Sequence, residues 1–564
     1  MTGHLKRKRS RVACEPCRGR KRKCNGGTPC STCSNWGYDC YYEVQTRPKK
    51  HETYMPLLSS AGTLSEHRPG CSSGTPNQET QADLQGITQS LEANSGAAFV
   101  RKLGLKVDST NAPRLNLFGW NIGARHLPSG LGNISALRIV DILSLADMKA
   151  MADVYFTKVD PCYGFIDSRT FFERLDARWR LPLVSSIYDS VLAGVAALGS
   201  LFSHRSINIT ELLLVESARS VLEIRDSCGT PCMDTVTGWA LRVVYMRMTA
   251  SPHSTWIASS TLMHLIEALG LHLEPSDETV LSCSVQCDPD VRRRLVGVAQ
   301  HLNMWTSYDL GLSRVSFQNG QPLPPSPKPG DYTTELLNLL PISASLGPER
   351  TQDDRDLESS LVRILDGVHT QPPSVLAQCN LVLCLLRRLL VVNRNTSSAV
   401  MENVLALFKK ALHSARSMIM SCCPWQHVAN VPFHIISILL EMDSRASLDV
   451  LPDAMQTLKL VASTYDTGTM REAYSTACLL VLLYQRRRCE DAKLLSGIVN
   501  THYHQTELSL PIRQTSPTSE RFSWLEGLVA DIPSLQGADL YQSLGEDMIG
   551  LSRGSDLLES MNLM

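Results

Sequence analysis

The sequence predicts a small metal-stapled α domain at the N-terminus, a large all-α helical domain behind it, and a disordered linker and tail. Three observations carry this. Six of the 18 cysteines fall between positions 14 and 40. From about residue 95 to 500, apolar residues recur with helical rather than alternating spacing. Residues 46–80 are instead rich in Pro, Ser, Thr, Gly and charge, and residues 516–564 are rich in acid. The expected division is 1–45 for the metal module, 46–95 for the linker, 96–330 and 331–505 for two parts of the helical body, and 506–564 for the tail.

The 564 residues allow roughly three or four domains at ~100–200 residues each. A hydrophobic share of 43% is enough to build a core and excludes wholesale disorder. No apolar run approaches the ~18 residues of a membrane span; the longest, such as 477–484, read as buried helix. The N-terminus MTGHLKRKRS has no apolar stretch behind it, so neither a secretory signal nor a membrane partner is expected. Charge sums to zero, with 55 basic and 55 acidic residues. The balance is uneven, because residues 1–50 hold 13 Lys/Arg against 3 acids. The first 50 residues are therefore suited to a polyanion, and the remainder is acidic.

The cysteines of the basic end are Cys14, Cys17, Cys24, Cys30, Cys33 and Cys40. Their pattern, C-x2-C-x6-C-x5-C-x2-C-x6-C, is one half-motif repeated, which predicts two short helices, each followed by an extended strip. Without a secretory signal, metal binding is a better reading than disulfides. Structural zinc takes four ligands, with thiolates at about 2.3 Å. Six cysteines fill two tetrahedra only if one cysteine of each half bridges both metals; one zinc alone would leave two thiols idle. Pro16 suits the first turn of a helix, and Asn25-Gly26-Gly27-Thr28-Pro29 is turn chemistry. Between two ligands lies Arg18-Gly19-Arg20-Lys21-Arg22-Lys23, five basic side chains on little more than one turn. Such a density repels itself unless a polyanion neutralises it. A redox pair or an isolated zinc knuckle would not need this repeat. A RING-type site usually uses His, and none lies between Cys14 and Cys40. An iron–sulfur cluster would take four cysteines and needs no basic tract.

These residues resemble the fungal zinc binuclear cluster, the Zn(2)-C6 DNA-binding domain of fungal transcription factors. The likeness rests on Ala13-Cys14, Cys17 through Cys24, Pro29-Cys30, Cys33, Gly37 and Cys40-Tyr41. It implies two zinc ions per chain, with Cys14 and Cys30 bridging. It also implies that the first helix enters the major groove of double-stranded DNA and reads a CGG-type triplet, with Arg20 and Lys21 at the base-reading positions. Many members carry Lys at the first of these, and Arg has a different donor geometry. Lys6-Arg7-Lys8-Arg9 is a candidate nuclear import signal, a phosphate-contacting arm, or both. Family members often pair two modules through a coiled coil after the linker. Here Leu84, Ile87 and Leu91 supply about one heptad, so a homodimer is an expectation of the resemblance and an ordinary amphipathic helix is the reading of the residues.

In the body, helical spacing is clear at 187–202, 256–271, 295–312, 378–392, 402–412, 431–441 and 473–485. Two stretches resemble the fungal-specific transcription factor domain, or middle homology region. One contains Tyr155-Phe156, Asp160-Pro161, Phe165-Ile166-Asp167 and Phe171. The other runs from Ala268-Leu269-Gly270-Leu271-His272 through Arg292-Arg293-Arg294-Leu295 to Met304-Trp305-Thr306-Ser307-Tyr308-Asp309. Val296-Gly297 stands where many members have Trp-Trp. In such proteins this region is linked to regulation. The proline-rich tract 322–329 cannot continue a helix and predicts a loop or subdomain edge. His264 and Glu267, one turn apart, read as a partly buried polar pair rather than metal ligands. Cys228/Cys232 and Cys283/Cys287 read as scattered structural thiols.

Residues 516–564 hold eight acids against Arg521 and Arg553, interspersed with Phe522, Trp524, Leu525 and Leu528. It fits either an amphipathic activation segment for transcription machinery or a solvated tail with a packed terminal helix. Gly550-Leu551-Ser552-Arg553-Gly554 matches G-x-S-x-G, but no His follows it to complete a hydrolase triad. The expectation is therefore a nuclear, zinc-dependent, sequence-specific regulator of RNA polymerase II genes, not an enzyme, with the family pointing to metabolic or secondary-metabolite pathways. The rivals are a DNA-tethered enzyme and a protein–protein adaptor scaffolded by the cluster.

Overall fold

The computed structural model describes residues 13–19, 22–27, 29–36, 40, 95–109, 112–113, 120–123, 125, 137–183, 185–226, 230–274, 287–317, 323–346, 354–391 and 396–507. The chain divides into two units, residues 1–75 and 76–564. The expected linker, the heptad at Leu84, Ile87 and Leu91, and the tail from 508 onward lie outside the described residues. Every regular element is a helix, with no strand among the described residues.

The first unit holds two short helices, α1 (Glu15–Gly19) and α2 (Ser31–Trp36). Helices this short are marginal by propensity alone. They are packed on one another through Cys14, Cys17, Cys30 and Cys33, with Cys24 and Cys40 half-buried at the margin.

The second unit begins with α3 (Gly96–Val107), then the single turn α4 (Ile139–Ile142), α5 (Leu145–Lys158), α6 (Ser168–Arg180) and α7 (Asp189–Leu201). Next come α8 (Ile209–Asp226), α9 (Met233–Thr249), α10 (Pro252–Ala268) and α11 (Pro289–Leu310). After the short α12 (Thr333–Leu337) and α13 (Leu340–Ser345) follow α14 (Asp354–Leu365), α15 (Pro372–Val391), α16 (Ser398–Met420), α17 (Gln426–Met442), α18 (Arg445–Thr464) and α19 (Gly468–Glu507). Starts are set by side-chain caps. Ser144, Asp167, Ser251, Ser397 and Ser444 each accept the N–H three residues on, a device worth roughly 1 kcal/mol apiece.

One core runs through the unit from Phe99 to Tyr484. α7 is buried on every side, and its small residues let neighbours approach. A Cβ on Gly199 would stand 2.1 Å from the Met151 carbonyl oxygen, so glycine is what lets α5 lie against α7. α15 and α17 form a second buried pair. The span 372–390 is long and apolar enough to cross a membrane, yet 89% of it is buried inside the protein. This corrects the expectation that no run approaches that length. Gln378, Asn380, Arg387 and Arg388 interrupt the apolar run along the chain while lying in the interior. The proline tract is irregular from 323 to 328 and is pinned by the Ser326 N–H donating to Asp290 at 2.7 Å.

The stretches that resemble the middle homology region meet in space. The Tyr163 and His301 rings lie 5.8 Å apart, and Arg294 Nη1 donates to the Gly164 carbonyl at 3.5 Å. The Arg292-Arg293-Arg294 triplet divides its work. Arg292 and Arg293 hold Glu274, whereas Arg294 is wholly buried and pairs with Asp290 at 2.9 Å and with Asp331.

Candidate metal centre and nucleic-acid interface

The repeat in the sequence becomes a repeat in space. Arg18 N–H donates to the Cys14 carbonyl and Ser34 N–H to the Cys30 carbonyl, both at 2.9 Å. Each half therefore turns a helix directly after its first cysteine. That brings Cys14 and Cys17, just before and within α1, against Cys30 and Cys33, just before and within α2. The Sγ–Sγ distances are 3.7 Å for Cys14–Cys30, 3.6 Å for Cys14–Cys33, 3.6 Å for Cys17–Cys30 and 3.9 Å for Cys17–Cys33. Cys24 reaches Cys14 at 3.8 Å.

These separations test the fit of zinc. Sulfurs about 2.3 Å from a common tetrahedral centre lie about 3.8 Å from each other, and the observed values fall on that edge length. Two groups of four sulfurs lie within 4.8 Å of one another: Cys14, Cys17, Cys24 and Cys30, and Cys14, Cys30, Cys33 and Cys40. Cys14 and Cys30 are common to both, as eight bonds from six thiolates require.

Backbone N–H groups support the sulfurs. Cys33 donates to Cys30 Sγ at 3.3 Å, Cys30 to Cys40 Sγ at 3.2 Å and Gly26 to Cys24 Sγ at 3.4 Å. The Cys33 N–H pulls the Cys30 thiol down to about 6, while burial pushes the Cys14 and Cys17 thiols up. Burying several thiolates together is unfavourable without cations, and zinc supplies that compensation. Two further contacts, not legible beforehand, tie the halves together. Asn25 Oδ1 accepts the Ser31 N–H at 2.9 Å, and the Thr32 hydroxyl donates to the Lys23 carbonyl at 2.7 Å. Asn25 reads in sequence only as a turn residue, although the left-handed Gly26 (φ 80°) beside it does mark the turn.

Arg18, Arg22 and Lys23 are exposed beside the sulfur cluster. Arg20, Lys21 and Lys6–Arg9 lie outside the described residues. The sulfur geometry thus stands next to a basic surface, the combination a polyanion-binding metal module needs.

The fungal Zn(2)-Cys(6) binuclear cluster domain matches residues 12–49. Similarity extends well past it. Protein RDR1 of Gibberella zeae is 40% identical over 96% of this chain and 99% of its own length. Transcription factor kojR of Aspergillus oryzae is 34% identical over 93% of this chain and 92% of its own. The chain belongs to the fungal Zn(2)-Cys(6) transcription factor family. A more distant relative, the citrinin biosynthesis transcriptional activator mrl3 of Monascus ruber, is 20% identical over 60% of this chain and 70% of its own. As a Zn(2)-Cys(6) regulator the chain binds DNA, and its cluster domain holds two zinc ions.

Elsewhere in this Zn(2)-Cys(6) protein the weaker motifs acquire plain roles. His264 and Glu267 are 3.9 Å apart with side chains 66% and 43% exposed. They are a solvated surface pair, not the partly buried one expected, because the α10 face that carries them points outward. Cys232 precedes α9 and meets Thr235. Cys228, Cys283 and the Ser552 motif lie outside the described residues.

Proposed function

We propose that residues 1–45 read a CGG-type triplet in duplex DNA. In this reading Cys14 and Cys30 bridge two zinc ions, and Cys17, Cys24, Cys33 and Cys40 complete the two sites. The zinc ions supply cross-links that hold α1 and α2 in place. Arg18, Arg22 and Lys23 neutralise phosphates, and Arg20 and Lys21 face base edges. The single observation that carries this is the pair of four-sulfur groups sharing Cys14 and Cys30 beside an exposed basic tract.

The remaining parts follow from the same reading. Lys6–Arg9 directs the chain to the nucleus. Residues 96–505 act as the fungal-specific transcription factor domain, supported by the quoted stretches and by similarity to kojR along nearly the whole chain. The acidic tail contacts the transcription machinery. Control of a metabolic or secondary-metabolite pathway is supported by the name of the mrl3 relative. The test is selection of a random duplex library by the full chain, with and without prior zinc chelation. A CGG triplet enriched only in the zinc-loaded chain is the expected result. No enriched motif, or binding indifferent to chelation, overturns the proposal. The spacing of enriched triplets also reports whether two copies bind together.

A further inference from the structure

The interior of the helical body holds a cavity of about 40 Å³ where the start of α3, Trp120, the end of α11, α15 and α17 converge. Trp120 Nε1, Asn430 Oδ1 and His434 Nδ1 are buried at this site without a hydrogen-bond partner. Their residues are 7%, 2% and 9% exposed. Buried polar atoms are rarely left unpaired, and each costs about 1–3 kcal/mol when it is. Three around one cavity point to a guest.

Charge decides what kind of guest. Arg387, buried in the interior, lines the cavity and donates to Cys384 Sγ at 2.8 Å. Arg247, also buried, lies 4.0 Å over the Trp120 ring and pairs with Asp309, while its Nη1 has no partner. Asp309 is the one carboxylate among the described lining residues, and it is already paired with Arg247. Burial and Arg387 hold His434 far below the usual histidine range, so it stays neutral. α3 adds its positive end. Ser95 caps the Ala98 N–H, and Gly96 and Ala97 line the cavity with backbone N–H groups that have no partner inside the helix. A Cβ on Gly96 would come within 2.2 Å of the His434 ring, so only glycine lets this helix end reach the site.

We propose that this cavity binds a small hydroxycarboxylate. Its carboxylate accepts from Arg387, Trp120 Nε1 and the α3 N-terminus, and its hydroxyl donates to Asn430 Oδ1 or His434 Nδ1. The volume has room for about three waters, which matches a molecule of glycolate size. The site is separate from the zinc module and stands whether or not the DNA reading does.

The test is thermal unfolding and calorimetric titration of the full, zinc-loaded chain with glycolate. Acetate, which lacks the hydroxyl, and glycolamide, which lacks the charge, serve as comparators. Glycolate should raise the melting temperature in proportion to the logarithm of its concentration. Acetate should bind about tenfold more weakly and glycolamide not at all, as expected when one hydrogen bond or the charge is lost. Trp120→Phe keeps the ring and removes the donor, and should weaken glycolate about tenfold. Asn430→Asp places a carboxylate inside the cavity. It should abolish the glycolate response while zinc content stays at two and unliganded stability is kept or raised. Glycolate acting no better than glycolamide overturns the proposal, as does an undiminished response in Asn430→Asp.

Discussion

Cys14 and Cys30 stand with their sulfurs 3.7 Å apart, and each belongs to both groups of four sulfurs that fit a metal ion. The remaining four cysteines divide evenly. Cys17 and Cys24 belong to one group, Cys33 and Cys40 to the other. The six thiolates are therefore not equivalent.

That inequality predicts two classes of zinc loss. Cys14→Ala removes a ligand from both sites and should leave the chain with close to no zinc. Cys40→Ser removes a ligand from one site and should leave about one zinc. Metal analysis of the purified chain after mild chelator competition measures the difference. Equal losses in the two variants would sink the shared-ligand arrangement.

The basic tract predicts a second division, between affinity and sequence preference. Arg18, Arg22 and Lys23 lie exposed. Replacing any one with Ala should lower affinity for all duplexes and reduce the salt dependence of binding by about one counterion. Lys21→Ala should instead relax base preference at the triplet. Titrations against matched and mismatched duplexes at several salt concentrations separate the cases. A uniform loss for Lys21→Ala would make it a phosphate contact.

Much of this organisation is legible in the sequence, and the exceptions have physical causes. The cysteine repeat is legible because ligand count and spacing are local. The helices at 189–201 and 252–268 are legible because their apolar periodicity is strong. α19 runs on to residue 507, beyond the apolar stretch read at 473–485; its far end keeps Leu494, Leu495 and Ile498 exposed beside pairs such as Arg486–Glu490, so no buried face marks it. The contact of Gly199 with Met151 is invisible, since nothing in a sequence says which two helices will touch. The cavity around Trp120 and Arg387 is invisible for the same reason: its lining comes from segments separated by up to several hundred residues.

The histidines of the core predict a pH dependence. Burial, aided by Arg247, pushes His301 down to about 3 and His427 well below the usual value. Burial, aided by Arg387, does the same to His434. Each group's folded value is lower than its unfolded value of about 6.5. The unfolded chain therefore takes up protons first, and stability is lost as pH falls from about 6.5 towards 3. Asp160 acts in the opposite sense. Burial raises it to about 7, so its contribution is present at low pH and disappears as pH rises through 7. Three histidines outweigh it. Each uncompensated histidine contributes a slope of about 1.4 kcal/mol per pH unit. Urea midpoints measured from pH 7.5 to 5.5 should fall, and His301→Gln should flatten the decline. A midpoint that rises on acidification would contradict this.

Arg294 makes the sharpest stability prediction. Its guanidinium is fully buried, yet it is engaged on every side. Nε donates to Asp290 at 2.9 Å, Nη1 pairs with Asp331, and Nη2 donates to the Ser326 carbonyl at 2.5 Å. The residue thus ties α11 to the proline tract and to the turn before α12. Arg294→Met keeps the apolar stem and strands Asp331, which is itself largely buried. The expected cost is about 3–5 kcal/mol, the usual penalty for removing one partner of a buried ion pair. Arg294→Lys keeps the charge but cannot span three acceptors with one ammonium, so its cost should be intermediate. Adding Asp331→Asn to Arg294→Met should recover part of the loss, because the stranded charge is then gone. Denaturant midpoints measure all three, and zinc content should remain at two throughout, since the cluster lies in the other unit. A loss below about 1 kcal/mol for Arg294→Met would show that this network does not hold the body together.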